Sequence, residues 1–108
     1  MAKQSDKVVT TVEIAKNETQ VVSIDWTDWI NSYNQQTGSS LTADSVTWTN
    51  DLSGSVTLSG ESFASNKATV TLLANTDYGC GYIKCQLTTS GSPKPIAVVK
   101  IDFLDFDC

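Results

Sequence analysis

Apolar and polar positions alternate with a period of two along most of this chain, the spacing that puts successive side chains on opposite faces of a strand. Lys7–Ile14 (KVVTTVEI) is β-branched and partly alternating, and predicts a first strand. The turn residues NET follow, and Gln20–Trp26 (QVVSIDW) predicts a second, with Val22 and Ile24 on one face and Val21 and Ser23 on the other. Ser45–Asn50 predicts a third, Val46 and Trp48 pointing one way and Ser45, Thr47 and Thr49 the other. Ser55–Gly60 follows with Val56 and Leu58 on one face, and then Lys67–Ala74 with Ala68, Val70 and Leu72 inward. Cys80–Ser90 places Ile83, Cys85 and Leu87 together, with Tyr82, Lys84 and Gln86 toward water. Ile96–Phe106 is the last strand, and Val99, Ile101 and Phe103 form its inward set. DLSG, ESFASN, NTDYG and GSPKP read as connections.

One segment breaks the period. In TDWINSYNQQTGSSLTADS, Thr27 or Asp28 is a candidate cap for one helical turn, on which Trp29 and Tyr33 meet at i, i+4. Gln35–Ser40 reads as a polar loop. Seven short strands separated by turn signals predict an all-β, two-sheet sandwich. The long apolar helical period that a parallel α/β fold needs is absent. The chain has 108 residues and no internal repeat or linker, so a single domain over 1–108 is expected, with residues 1–6 as a flexible N-terminal arm. It reads as one complete small gene product.

Charge and composition narrow the partners. The formal net charge is −5, which opposes a phosphate backbone and an anionic bilayer surface, so no nucleic-acid or membrane partner is expected. A basic patch on another protein is compatible with it. The N-terminal MAKQSDKVV lacks the apolar stretch of a signal peptide, and no apolar run reaches the length of a bilayer span. Without a secretory signal, the sequon at Asn17–Thr19 carries little weight. The three cysteines, Cys80, Cys85 and Cys108, include no Cys-x-x-Cys pair, and reduced thiols are expected.

The inventory of reactive groups argues against catalysis. The chain contains no histidine, so the commonest general base and metal ligand is missing; no zinc site is expected, and a serine–histidine–aspartate triad cannot be assembled. Cys85, on an inward strand face, reads as a small hydrophobe. Asp25 and Asp28 have the look of a glycosidase carboxylate pair, but a turn cap and a loop charge explain them more cheaply. Asp102, Asp105 and Asp107 lack the glycine turn and closing glutamate of an EF-hand and read as a solvated acidic tail. The interleaved Phe103, Leu104 and Phe106 raise a second possibility, that this tail pairs with a neighbouring subunit. GCGY at Gly79–Tyr82 opens a strand, not a phosphate-binding helix. No catalytic, cofactor or metal site is expected.

Three motifs in order, SIDWTDWI, then SVTWT, then TVTLLANTDYGCGYIKCQLTTSG, resemble the immunoglobulin-like fibre–tail adaptor proteins of tailed-bacteriophage virions. Asp25, Trp26, Asp28, Trp29 and Ile30 match the first element, Val46, Thr47 and Trp48 the second, and Ile83, Cys85, Leu87, Thr88 and Thr89 the third. The resemblance spans about Val21 to Phe103. It departs at Gly81, where the family has a tyrosine, and in an acidic last strand where the family often carries arginines. It implies an immunoglobulin-like sandwich of about seven antiparallel strands with one short helical turn after the second. It also implies a non-enzymatic structural role, connecting a tail fibre or appendage to the tail or neck. Partners would be other virion proteins in a symmetric multi-copy assembly, formed in the bacterial cytoplasm.

Within that frame Trp26, Trp48, Ile83, Cys85 and Leu87 are expected in the core. Trp29, Tyr33, Phe103 and Phe106 are the candidates for partner contact, and the first and last strands are candidate edges for strand addition. Two other readings stand beside the adaptor. One is a capsid decoration protein. The other is a carbohydrate-binding module in which Trp29, Tyr33 and Tyr78 stack on sugar rings.

Overall fold

The β-branched, alternating segments become strands because one face of each has a partner layer to bury against. The computed structural model describes residues 7–52, 54–76, 78 and 81–104, with side chains from residue 10 onward. The expected arm at 1–6, and Cys80, Asp105, Phe106, Asp107 and Cys108, lie outside the described residues. Seven strands are described: β1 (Lys7–Ile14), β2 (Thr19–Asp25), β3 (Ala43–Asn50), β4 (Val56–Ala64), β5 (Lys67–Ala74), β6 (Tyr82–Thr89) and β7 (Ile96–Phe103). One helix, α1 (Thr27–Thr37), joins β2 to β3. The sheets have the orders β1-β7-β6-β3 and β2-β5-β4. This is an immunoglobulin-like β-sandwich.

Four strand pairings are antiparallel, and β1 pairs with β7 in parallel. The expectation of an all-antiparallel arrangement is corrected there. The cause is a change of sheet: Ala15–Glu18 carries the chain across the sandwich, so β1 runs beside the last strand instead of forming a hairpin with β2. The crossing is held locally, with Ala15 N–H donating to Glu18 Oε1 at 2.8 Å and Asn17 taking a φ of 71°. The pairing also takes β7 off the list of edges, since it lies between β1 and β6. The outer strands are β1 and β3 in one sheet and β2 and β4 in the other.

Strand β4 runs four residues past its expected end at Gly60. Gly60 does not break it. Ser59 and Ser62 pair with Thr71 and Thr69, so Gly60 and Glu61 together oppose a single residue, and Gly60 has a φ of 62°. That is a bulge with glycine in the left-handed position. The extra residue keeps Phe63 in phase with Val56 and Leu58, and the chain reverses at Ser65 and Asn66, with φ of 52° and 67°. Two positive φ values at the tip of a two-residue hairpin match the sheet twist.

The core lies between the sheets. Trp26, Trp48, Ile83, Cys85 and Leu87 are all buried in it. Phe103 is buried as well, at 3% exposure, so the strand period decides its place and it is not available to a partner. Leu72, at the centre of the middle strand β5, has 0% exposure. Leu72→Ala should therefore cost about 2–5 kcal/mol of stability, read as a fall in the urea midpoint. A loss below about 1 kcal/mol would mean that the sheets close over the space.

Candidate functional site

The end of the sandwich that carries α1 holds the most organised group of exposed chemistry. Its construction begins at Trp26, the next inward residue after Val22 and Ile24 on β2. Trp26 is buried, and its backbone N–H donates to Asn66 O of the β4–β5 hairpin at 2.8 Å. The helix starts directly behind it. Neither Thr27 nor Asp28 caps it; Asp25 Oδ1 accepts the Thr27 N–H at 2.9 Å, and Asp28 lies in the acidic first turn. An acid there suits the positive end of the helix dipole.

The helix has 11 residues, longer than the single turn expected. Gln35, Gln36 and Thr37 are helical and not part of a loop. The signal was Gly38: its φ of 68° and its N–H bond to Asn34 O at 2.9 Å end the helix in the left-handed cap that favours glycine. Asn34 then grips the following segment. Its Nδ2 donates to Leu41 O at 3.0 Å and its Oδ1 accepts Leu41 N–H at 2.8 Å. Leu41 in turn lies against Gly91 of the β6–β7 turn, where an added Cβ would come within 2.7 Å of its Cδ2.

On this base the rings form a ladder. Trp26 meets Trp29 edge to face at 6.3 Å, and Trp29 stacks on Tyr33 at 5.3 Å with planes 18° apart. Ile30 is buried, while Trp29 and Tyr33 are half-buried. The ladder thus runs from the core to the surface and holds two large rings rigidly at the tip. Tyr78 is exposed, but it sits in the β5–β6 connection. That connection lies at the other end of the sandwich, beside the β1–β2 crossing, where Asn17 N–H donates to Ala74 O. The three-ring sugar platform is therefore not assembled.

The remaining candidates have structural partners. Asp25 is held below its ordinary value of 3.8 by hydrogen bonds from the Thr27 hydroxyl and amide, so it is engaged as a cap. Asp102 lies 3.8 Å from Lys100 in a surface ion pair of the kind that contributes little. Cys85 is buried and free, and burial pushes its thiol up to about 11. Among the described residues no group of three or more potential metal ligands is gathered.

Fold and site together define an immunoglobulin-like domain with an aromatic helical tip. No protein-family model matches the chain, and no curated protein matches it in sequence. Solved structures similar to it in fold include titin domains Z1Z2 in complex with telethonin, at 17% identity and a TM-score of 0.49, covering 86% of this chain and 44% of that one. Titin domain M7 has 11% identity and a TM-score of 0.48, covering 94% and 99% of the two chains. A chimeric titin Z1Z2 carrying a KLER peptide from decorin has 17% identity and a TM-score of 0.49, covering 96% and 51%. The chain spans about half the length of the Z1Z2 chains it resembles.

Two outcomes are expected. Ionised Asp25 holds the start of α1, so its contribution is complete above 3.8 and is lost as pH falls through the lower folded-state value. The Thr27 amide shift in NMR should titrate with a midpoint under 3.8; one at or above it would remove Asp25 from the capping role. For Cys85, in a variant with Cys80 and Cys108 replaced by serine, iodoacetamide near pH 8 should label the thiol only at the rate of unfolding. Labelling as fast as a free thiol would contradict its burial.

Proposed function

We propose that this chain is a non-enzymatic interaction domain that docks on partner proteins through the α1 end. The observation that carries the reading is the Trp29–Tyr33 stack, half-exposed and braced from the core by Trp26. Rigid aromatic side chains contribute large contact area at low entropic cost and are enriched among the residues that dominate binding energy. On the motifs at Asp25–Ile30, Val46–Trp48 and Ile83–Thr89, the proposed setting is the virion of a tailed bacteriophage. There the domain joins a tail fibre or appendage to the tail or neck, in several copies. The absence of histidine supports a role without catalysis.

Mass spectrometry of purified virions, with copies counted against the major capsid protein, tests this. A handful of copies is the expected result; hundreds would make it a capsid decoration protein, and its absence from particles would overturn the virion setting. Tyr33→Ala should lower incorporation by roughly tenfold, while the loss of one half-buried ring from the ladder lowers the melting temperature by only about 5–10 °C and leaves the domain folded. Full incorporation of that variant would move the docking surface elsewhere.

A further inference from the structure

The open side of the sandwich between β3 and β4 has no role in the reading above. These are outer strands of different sheets. They meet at Asn50, whose Nδ2 donates to Val56 O at 2.8 Å, and they diverge toward the α1 end. The gap is a groove of about 290 Å³ lined by Asp44, Ser45, Val46, Glu61, Ser62 and Phe63. Val46 and Phe63 are partly buried apolar residues packed on the core, and Asp44 and Glu61 are exposed. The lining holds two carboxylates and no cation.

The backbone of β3 faces this groove. Asp51 N–H donates to Tyr82 O, which marks that pair as a hydrogen-bonded rung of the β3–β6 ladder. Rungs alternate in an antiparallel pair. With Trp48 opposite Cys85 and Val46 opposite Leu87, the bonded rungs fall at Thr49 and Thr47. The N–H and C=O groups of Val46 and Trp48 therefore point away from β6, toward the open edge. The facing edge of β4 is interrupted by the Gly60–Glu61 bulge, a device that blunts strand pairing. The edge of β3 is the one that can receive a strand.

We infer that the β3–β4 groove is a second interaction surface, which takes an extended basic and apolar segment of a partner protein as a strand added to β3. Alternate apolar side chains of that segment would lie against Val46 and Phe63, and its lysines or arginines would meet Asp44 and Glu61. The charge pattern chooses this occupant over a second copy, because a chain of net charge −5 would bring like carboxylates together. The inference stands apart from the α1 end and from the virion setting.

The test is an NMR titration of the full chain with a capped Lys-Val-Thr-Val-Lys-Val-Thr peptide, and with the same peptide carrying glutamate for lysine. Amide shifts at Val46, Trp48, Glu61 and Phe63 with the basic peptide alone are expected, with Trp29 and Tyr33 unmoved. Asp44→Lys with Glu61→Lys should weaken binding by roughly tenfold. Val46→Pro removes an N–H that points outward and no rung to β6, so it should abolish binding. If that variant fails to fold, the exposed charge reversals decide. No shifts, equal shifts with the acidic peptide, or binding that survives charge reversal would overturn the inference. So would shifts that grow with protein concentration alone, which would make the occupant a second copy.

Discussion

The packing on which the rest depends is that of Trp26 in the core between the two sheets, a core it shares with Cys85. Trp26 comes from the end of β2 and Cys85 from the middle of β6, where Trp48 of β3 is its cross-strand neighbour. Many immunoglobulin domains join these layers with a disulfide between the second and sixth strands, packed against a tryptophan on the third. Here β2 has no cysteine, and Trp26, the residue after it, is buried in the same core as Cys85. Both Trp26 Nε1 and Trp48 Nε1 are buried with no hydrogen-bond partner. An unpaired donor costs about 1–3 kcal/mol, whereas 150–250 Å² of ring surface removed from water contributes about 4–6 kcal/mol. Burial wins, and at Cys85, which is free, packing and not a disulfide joins the two sheets.

That packing also sets up the α1 end. Trp26 is at once the end of the β2 inward face and the N-terminal neighbour of the helix. Its ring supports Trp29, and Trp29 supports Tyr33. A short, mostly polar helix has little reason to persist by itself. This one is fixed at its start by Asp25, at its end by Gly38 and Asn34, and along its length by Ile30 and the ring ladder. The half-exposed rings are held in place by the same packing that joins the sheets.

A two-sheet sandwich that does not close into a barrel leaves outer strands to manage. The parallel docking of β1 covers β7 and moves that edge to the N-terminal strand. The bulge at Gly60 disrupts the β4 edge, and Asp44 and Glu61 place like charges on either side of the groove. Such charges discourage pairing between identical acidic chains. They leave β3 open only to a strand of opposite character.

Much of this is written in the alternation of side chains. The strand spans at Lys7–Ile14 and Lys67–Ala74 coincide with β1 and β5, and the inward positions at Val22, Ile24, Val70, Leu72, Ile83, Cys85 and Leu87 are buried. A period of two is a local property, and burial of one face follows from it in any two-layer fold. The same rule already assigned Phe103 inward, so reading it as a partner contact set composition above periodicity. The i, i+4 meeting of Trp29 and Tyr33 was equally local. Gly60 and Gly38 were harder to read. A glycine in a strand-like run signals a break or a bulge with equal force, and only the register of β4 against β5 selects the bulge. A glycine after a polar segment reads as loop until Asn34 and Leu41 are seen to close on each other. Which strands are edges was only half legible: β1 is an outer strand as expected, and β7 is not. The order β1-β7-β6-β3 depends on the chain crossing between sheets at Ala15–Glu18, and side-chain alternation is the same whichever sheet a strand joins. The sequence by itself determined which residues face inward, because that is decided one residue at a time by the pleat. Only the tertiary structure decided which strand has no neighbour, because that depends on the pairing of segments far apart in the chain.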